Sequence, residues 1–247
     1  MTPGSVVPPG RDERALTELE VSVVIPARNE EGYIRAAAQS LSRQTFPRDG
    51  MEVIVVDNGS TDATAAAAQT AAAETALQLR VVYEASPGIS RAKNHGARVA
   101  RGRILLFMDA DSRATANLVE SVVARSRSGS RAGSIRVVAD SRDLLDRAFF
   151  GLMEWGKQLF QIRAQMFFCE RDLFLAAGGL SEVLQLAEDR EFLVRLQRRG
   201  IDLCHVDEAA IRTSPRRLRS LPFRLGMVTT FVRWALANFG VGRRWRY

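Results

Sequence analysis

The sequence predicts an α/β domain built on a mostly parallel sheet flanked by helices. Three observations carry that expectation. Short apolar runs rich in β-branched residues alternate with helical stretches from residue 21 to residue 127. Each run stops at a polar cluster. At 247 residues, 46% hydrophobic and 26% charged, the chain is long enough to bury one sizeable core.

Val21 to Pro26 is a β-branched run stopped by proline, the signature of a buried strand. Asn29 is placed to cap a helix running from Glu30 to about Arg43. Met51 to Val56 is a second strand, ending at Asp57; Asn58-Gly59-Ser60 is a turn, and alanine-rich Thr61 to Ala76 is helical. Leu79 to Tyr83 is a third strand, Ser90 to Arg101 a helix, and Ile104 to Met108 a fourth strand ending at Asp109; Thr115 to about Arg127 is helical. Ser134 to Ala139 and Gln165 to Cys169 read as strands around a long aromatic-bearing helix, Asp143 to Ala164. A Gly178-Gly179 turn precedes a helix from Glu188 to Arg199, and Asp202 to Val206 is a last strand. Residues 1–19 read as a flexible lead-in, 20–215 as one catalytic domain (20–112 and 113–215 as its halves), and 216–247 as a basic, amphipathic segment.

The net charge is +7, yet residues 209–247 hold nine arginines and no acid, so the rest of the chain is slightly acidic. A basic end of this kind suits anionic lipid, phosphorylated ligands or nucleic acid; no motif that reads RNA or DNA accompanies it, so no nucleic-acid partner is expected. No run of 18 apolar residues and no signal-like N-terminus is present, and the expected location is the cytoplasm, with Cys169 and Cys204 reduced. Two cysteines and two histidines make no zinc spacing.

In a parallel sheet, ligands sit beyond the carboxyl ends of the strands. Here those ends carry Pro26-Ala27-Arg28-Asn29-Glu30, Asp57-Asn58-Gly59-Ser60 and Asp109-Ala110-Asp111. Two carboxylates one residue apart can share a hard divalent cation that also accepts phosphate oxygens. A lone Asp-x-Asp is a weak signal, since aspartate is common at turns and caps; its place after the fourth strand is what gives it weight. Asp57 could accept from a base or a ribose hydroxyl, or could serve its turn. Asp62, near a helix start, reads as a capping or dipole residue.

Four stretches together, Val23 to Glu30, Val55 to Asp62, Gly88 to Gly96 and Phe107 to Asp111, resemble glycosyltransferase family 2 with the GT-A fold. Glu188-Asp189, with Phe192 and Arg195, resembles the family's later acidic motif. The resemblance implies an inverting transfer of a sugar from a nucleotide-sugar donor to an acceptor hydroxyl. It implies that Pro26, Ala27 and Glu30 line the nucleotide pocket, that Asp57 contacts the base with Asn58 beside it, and that Lys93 and Asn94 lie near the ribose or diphosphate. Asp109 would face ribose and metal, with Ala110 between it and Asp111, the direct ligand of Mg2+ or Mn2+. Asp189 would be the general base. Arg28, in the donor loop, stands where many members have an aromatic. No histidine follows Ile211, where some members place a third metal ligand; Arg212 lies there instead and, with Glu188, is a candidate contact to diphosphate or acceptor. No Gln-x-x-Arg-Trp is present, which points to transfer of a single sugar. Lys93 and Arg91 could equally be solvated helix charges, and Asn94 could satisfy a backbone group. A retaining enzyme on the same fold and a catalytically silent nucleotide-sugar-binding scaffold stay open as alternatives. A dinucleotide oxidoreductase has no Gly-x-Gly-x-x-Gly to support it. The aromatics of the long helix and of 221–239 read as core packing or as attachment to an anionic membrane surface, which would suit a lipid-linked acceptor.

Overall fold

In the computed structural model, residues 19–159, 166–184 and 187–219 are described, together with Gly226, Thr229 and Val232. The apolar runs form strands β1 (Val21–Ala27), β2 (Met51–Asp57), β3 (Leu79–Tyr83) and β4 (Ile104–Phe107), with α1 (Ile34–Ser42), α2 (Thr64–Thr75) and α3 (Ile89–Val99) between them. The second half adds β5 (Ser112–Ala114), α4 (Leu118–Arg127), β6 (Ala132–Ala139), α5 (Leu144–Leu159), β7 (Phe167–Glu170), α6 (Arg171–Ala176), α7 (Glu188–Arg198), β8 (Leu203–Thr213) and α8 (Arg216–Arg219).

One sheet runs in the order β3-β2-β1-β4-β7-β6-β8-β5. The first four strands are parallel to one another. β7 is antiparallel to β4 and β6, β6 is parallel to β8, and β5 is antiparallel to β8. The carboxyl ends of β1, β2, β4, β6 and β8 therefore share one edge. β1, β2 and β4 are near-continuously buried because helices cover both faces.

Two apolar clusters hold the layers. One packs β1, β2 and β4 against α1, α2 and α4. The other packs the opposite face against α3, α6 and α7. In the second cluster Phe107 stacks on Phe167 at 4.6 Å, and Phe174 lies 5.2 Å from Phe107 and 4.9 Å from Phe192. Phe192 thereby ties α7 to the end of β4. Helix α3 lies directly on β1 and β2: a Cβ built on Gly96 would come within 2.3 Å of Val24 Cγ1.

Several elements differ from expectation. Asn29 does not cap a helix; it adopts φ 55°, and its side chain accepts from Thr61 N–H at 2.8 Å, so α1 starts only at Ile34. β5 and α6 were not anticipated, being too short to show a period. β8 runs on past Val206 to Thr213 through a bulge opposite Ile135 and Arg136. The expected helical residues 160–164 and most of the expected amphipathic 221–239 lie outside the described residues, whereas 216–219 form α8, with Leu218 buried. On α5, Met153 is buried and Phe149 and Phe150 are half-buried, while Leu144, Leu145, Leu152, Trp155 and Leu159 are exposed. No described helix is long and apolar enough to cross a membrane.

Candidate active site

The carboxyl edge gathers the polar clusters. The loops after β1 and β2 are laced together: Ser60 Oγ accepts from Asn29 N–H at 3.0 Å, Thr64 Oγ1 accepts from Glu30 N–H at 2.7 Å, and Glu31 accepts from Ala63 N–H at 2.9 Å. This lacing fixes Pro26, Ala27 and Glu30 beside Asp57, whose Oδ1 accepts from Ser60 N–H at 3.0 Å. Asp62 accepts from the Thr64 N–H and hydroxyl, as its helix-start position implies. Arg28 is exposed.

Asn58 and Asn94 brace loops. The Asn58 amide donates to the Glu84 and Ser86 carbonyls at 3.1 and 2.8 Å and accepts from Gly88 N–H at 2.7 Å, fixing the entry to α3. Asn94 donates to the Leu180 carbonyl at 2.9 Å and to Glu182 at 3.1 Å, and accepts from Leu180 N–H at 2.8 Å. Gly179 (φ 67°) lets that loop approach, since a Cβ there would lie 2.6 Å from Asn94 Oδ1. Asn94 thus joins the two halves of the domain.

One residue earlier, Lys93 does the same with charge. It is buried, and its Nζ donates to Glu188 Oε1 at 3.0 Å. Burial would lower its pKa, but the carboxylates of Glu188, Asp109 and Asp189 outweigh that and hold it above the ordinary lysine value. Glu188 and Asp189 are both buried in the first turn of α7, where the helix dipole favours negative charge. Ala187 enters that helix at φ 59°, and Asp189 Oδ1 accepts from Arg190 N–H at 2.7 Å. Lys93, Asp109, Glu188 and Asp189 therefore form one group, drawn from three places in the sequence: helix α3, the turn after β4 and the first turn of α7.

Asp109 and Asp111 follow β4 in a tight turn in which Ser112 N–H donates to the Asp109 carbonyl at 3.1 Å; Ala110 is buried beneath it. Among the described residues no set of three or more His, Cys, Asp or Glu is arranged to hold a metal. Two carboxylates one residue apart do not make a closed protein site; a hard cation there would have to draw its remaining ligands from water and phosphate oxygens.

Arg216 escaped the sequence reading, which names Arg212 as the candidate contact from this segment. Arg216, at the start of α8, places its Nε 3.0 Å from Asp111 Oδ2, donates through Nη2 to Glu30 Oε1, and lies 4.5 Å from the Tyr33 ring centroid. Arg212, four residues earlier, is exposed on β8 in register with Arg113 and Val138. The legible signal was a pair of strand-end carboxylates, Glu30 and Asp111, facing a segment with several arginines; which arginine answers them depends on where β8 ends.

A parallel first half, an antiparallel-containing second half and carboxylates at the shared edge are the architecture of a GT-A domain. The chain belongs to glycosyl transferase family 2, whose model matches residues 22–169. It is 28% identical over 200 residues to the probable glycosyltransferase YdaM of Bacillus subtilis, covering 73% of this chain and 47% of that protein. It is 35% identical over 106 residues to the validoxylamine A glucosyltransferase of Streptomyces hygroscopicus, covering 42% of this chain and 23% of that one. Thus the chain spans less than half the length of these curated relatives. Among solved structures, the mannosyltransferase PcManGT of Pyrobaculum calidifontis, in complex with GDP-Man and Mn2+, shares the fold with a TM-score of 0.65 at 23% identity, covering 87% of this chain and 65% of that one. TarS of Staphylococcus aureus, in complex with UDP-GlcNAc, shares it at 0.63 and 22% identity, covering 79% of this chain and 58% of that one.

Proposed function

We propose that the chain is a glycosyltransferase that moves one sugar from a nucleoside-diphosphate sugar to an acceptor hydroxyl by a single displacement with inversion. The observation that carries this reading is the buried group in which Lys93 joins Asp109, at the donor strand end, to Glu188 and Asp189, at the head of α7. The family membership and the nucleotide-sugar complexes of the two structural relatives support the donor class.

In this reading Pro26, Ala27, Glu30 and Asp57 receive the nucleoside and Asp109 faces the ribose. Asp189 accepts the acceptor hydroxyl proton while that oxygen bonds to the anomeric carbon. The bond from that carbon to the phosphate oxygen breaks on the opposite side, and the nucleoside diphosphate leaves with the electron pair. Glu188, neutralised by Lys93, supports Asp189. A divalent cation, Mg2+ or Mn2+, bound through Asp111 and Asp109, would neutralise the leaving diphosphate as a Lewis acid. The acceptor is a hydroxyl compound, and a lipid-linked one fits the exposed Leu144, Leu145, Leu152, Trp155 and Leu159 of α5: exposed apolar residues on a helix, together with an arginine-rich C-terminal sequence, suit peripheral attachment to an anionic membrane surface.

The test pairs binding with turnover. A donor at a hundredfold its dissociation constant adds about 2.7 kcal/mol of apparent stability, about 5–11 °C in a domain of this size. One sugar nucleotide among UDP-, GDP- and dTDP-sugars should shift the melt in the presence of Mn2+ or Mg2+. Asp189→Asn should keep that shift and lose about 10²–10⁴-fold in nucleotide release. Wild-type turnover in Asp189→Asn removes the base assignment; no shift with any donor removes the donor reading, and a shift without turnover in the wild type favours a silent nucleotide-sugar-binding scaffold. Product anomer analysis by NMR separates inversion from retention.

A further inference from the structure

The turn after β8 brings a fixed positive charge to the diphosphate end of the donor site. Ser112 and Thr213 pair between β5 and β8, their hydroxyls 3.0 Å apart, and Ser214 N–H donates to the Asp111 carbonyl at 3.1 Å. This docks the start of α8 on the Asp109–Asp111 turn. The Arg216 guanidinium then bridges Asp111, after β4, and Glu30, after β1, and rests on the Tyr33 ring. Burial disfavours its charge, but the Glu30 hydrogen bond and the carboxylates of Asp111 and Glu30 more than reverse this. The other Glu30 oxygen, Oε2, is buried without a hydrogen-bond partner. The clasp therefore leaves a buried acceptor atom unsatisfied, which a donor hydroxyl or N–H could fill.

We propose that Arg216, which the structure holds on Asp111 and Glu30, is a diphosphate-binding residue of this chain and passes to the diphosphate when the nucleotide enters. The inference rests on the donor reading given above. Its logic is competition for one carboxylate. The guanidinium and a divalent cation both use Asp111, so a cation arriving alone must displace Arg216. A diphosphate carries more negative charge than one cation-bound aspartate, and its oxygens match the planar guanidinium fork. When nucleotide and cation arrive together, Arg216 exchanges carboxylate partners for phosphate oxygens, and Asp111 is released to the cation. Nucleotide and cation thus bind with positive coupling through Arg216.

Isothermal titration of UDP, GDP and dTDP in EDTA, and Mn2+ titration without nucleotide followed by EPR, test this on the wild type, Arg216→Ala and Arg216→Gln. The nucleoside diphosphate that binds the wild type should bind Arg216→Ala about tenfold or more weakly in EDTA, as expected for losing a charge-assisted phosphate contact. Mn2+ alone should bind the variant more tightly, because Asp111 is no longer held, and that gain should vanish in Arg216→Ala/Asp111→Asn. Arg216→Gln, which keeps the hydrogen-bonding stem without the charge, should behave as the alanine variant does and covers the case in which alanine disturbs the turn. Equal metal-free nucleotide binding in wild type and variants overturns the proposal while leaving the donor reading intact. Failure of the wild type to bind any of the three nucleotides, with or without Mn2+, overturns both.

Discussion

Removing the ammonium of Lys93 should destabilise the protein more than removing any exposed charge. Lys93 and Glu188 are both nearly sealed from solvent, at 7% and 9% side-chain exposure, with 3.0 Å between Nζ and Oε1. Lys93→Met preserves most of the volume but leaves Glu188 buried beside Asp189 and Asp109 without its cation. Breaking a buried pair from one side costs about 3–5 kcal/mol, or about 6–20 °C in melting temperature for a domain of this size. Lys93→Met/Glu188→Gln removes the stranded charge and should recover at least about 1.5 kcal/mol of that loss, the coupling expected of residues in direct contact. Urea melts of the four proteins give the cycle. The pH dependence follows from the raised Lys93 value: a cation whose folded-state pKa lies above its unfolded one stabilises fully below the ordinary lysine value, about 10.4, and the contribution disappears only as pH climbs through the raised value. The difference between wild type and Lys93→Met should therefore stay constant from pH 6 to about pH 9. A loss under about 1 kcal/mol for Lys93→Met, or strict additivity in the double variant, would refute the reasoning that this lysine neutralises the head of α7.

Two further substitutions test the frame that holds the site. Gly96→Ala would drive a methyl to within 2.3 Å of Val24 and 3.1 Å of Val56; lifting α3 should cost about 1–3 kcal/mol and weaken nucleotide binding by shifting Lys93 and Asn94, and an unchanged melt would show that α3 has room to move. At the opposite edge, burial would raise the Glu52 carboxyl, but the Ser22 hydroxyl, the Arg101 N–H and the guanidinium groups of Arg101 and Arg80 hold it below the usual carboxylate range. Its stabilisation is therefore present above about pH 4.5 and lost as pH falls through the depressed value. Glu52→Gln should cost about 1–3 kcal/mol at neutral pH, and the gap to wild type should close in acid melts; a gap unchanged down to pH 3 would contradict the assignment.

The first half of the domain was legible because it rests on local signals. β1, β2 and β4 are buried on both faces, so each reads as a short apolar run, and each is closely followed by polar residues where the chain leaves the core. The motifs gave Asp57, Asp109 and Asp111 their places without any knowledge of the partner strands. Asn29 misled because an Asn before a helical stretch reads as a cap, whereas its amide is used across the loop by Thr61. Asn58 and Asn94 lie within the expected motifs, yet their hydrogen bonds go to loops 26 to 88 residues away, a commitment that neighbouring residues do not announce.

The end of β8 shows most sharply why part of the site stayed hidden. Asp207 and Glu208 look like a strand's end, since two adjacent acids fit poorly in a buried ladder. The structure keeps them in a bulge: Val206 pairs with Ile135, Ala210 pairs with Arg136, and Glu208 is held by Arg125 through two contacts at 2.9 Å. With the acids set aside, Ala209, Ala210 and Ile211 return to the core and the strand continues to Thr213. That continuation selects which arginine reaches the Asp109–Asp111 turn. Because the strand runs to Thr213 and pairs with Ser112, Arg216 meets Asp111 and Arg212 is exposed. The placement of a charge beside Asp111 thus follows from a bulge in the middle of the same strand.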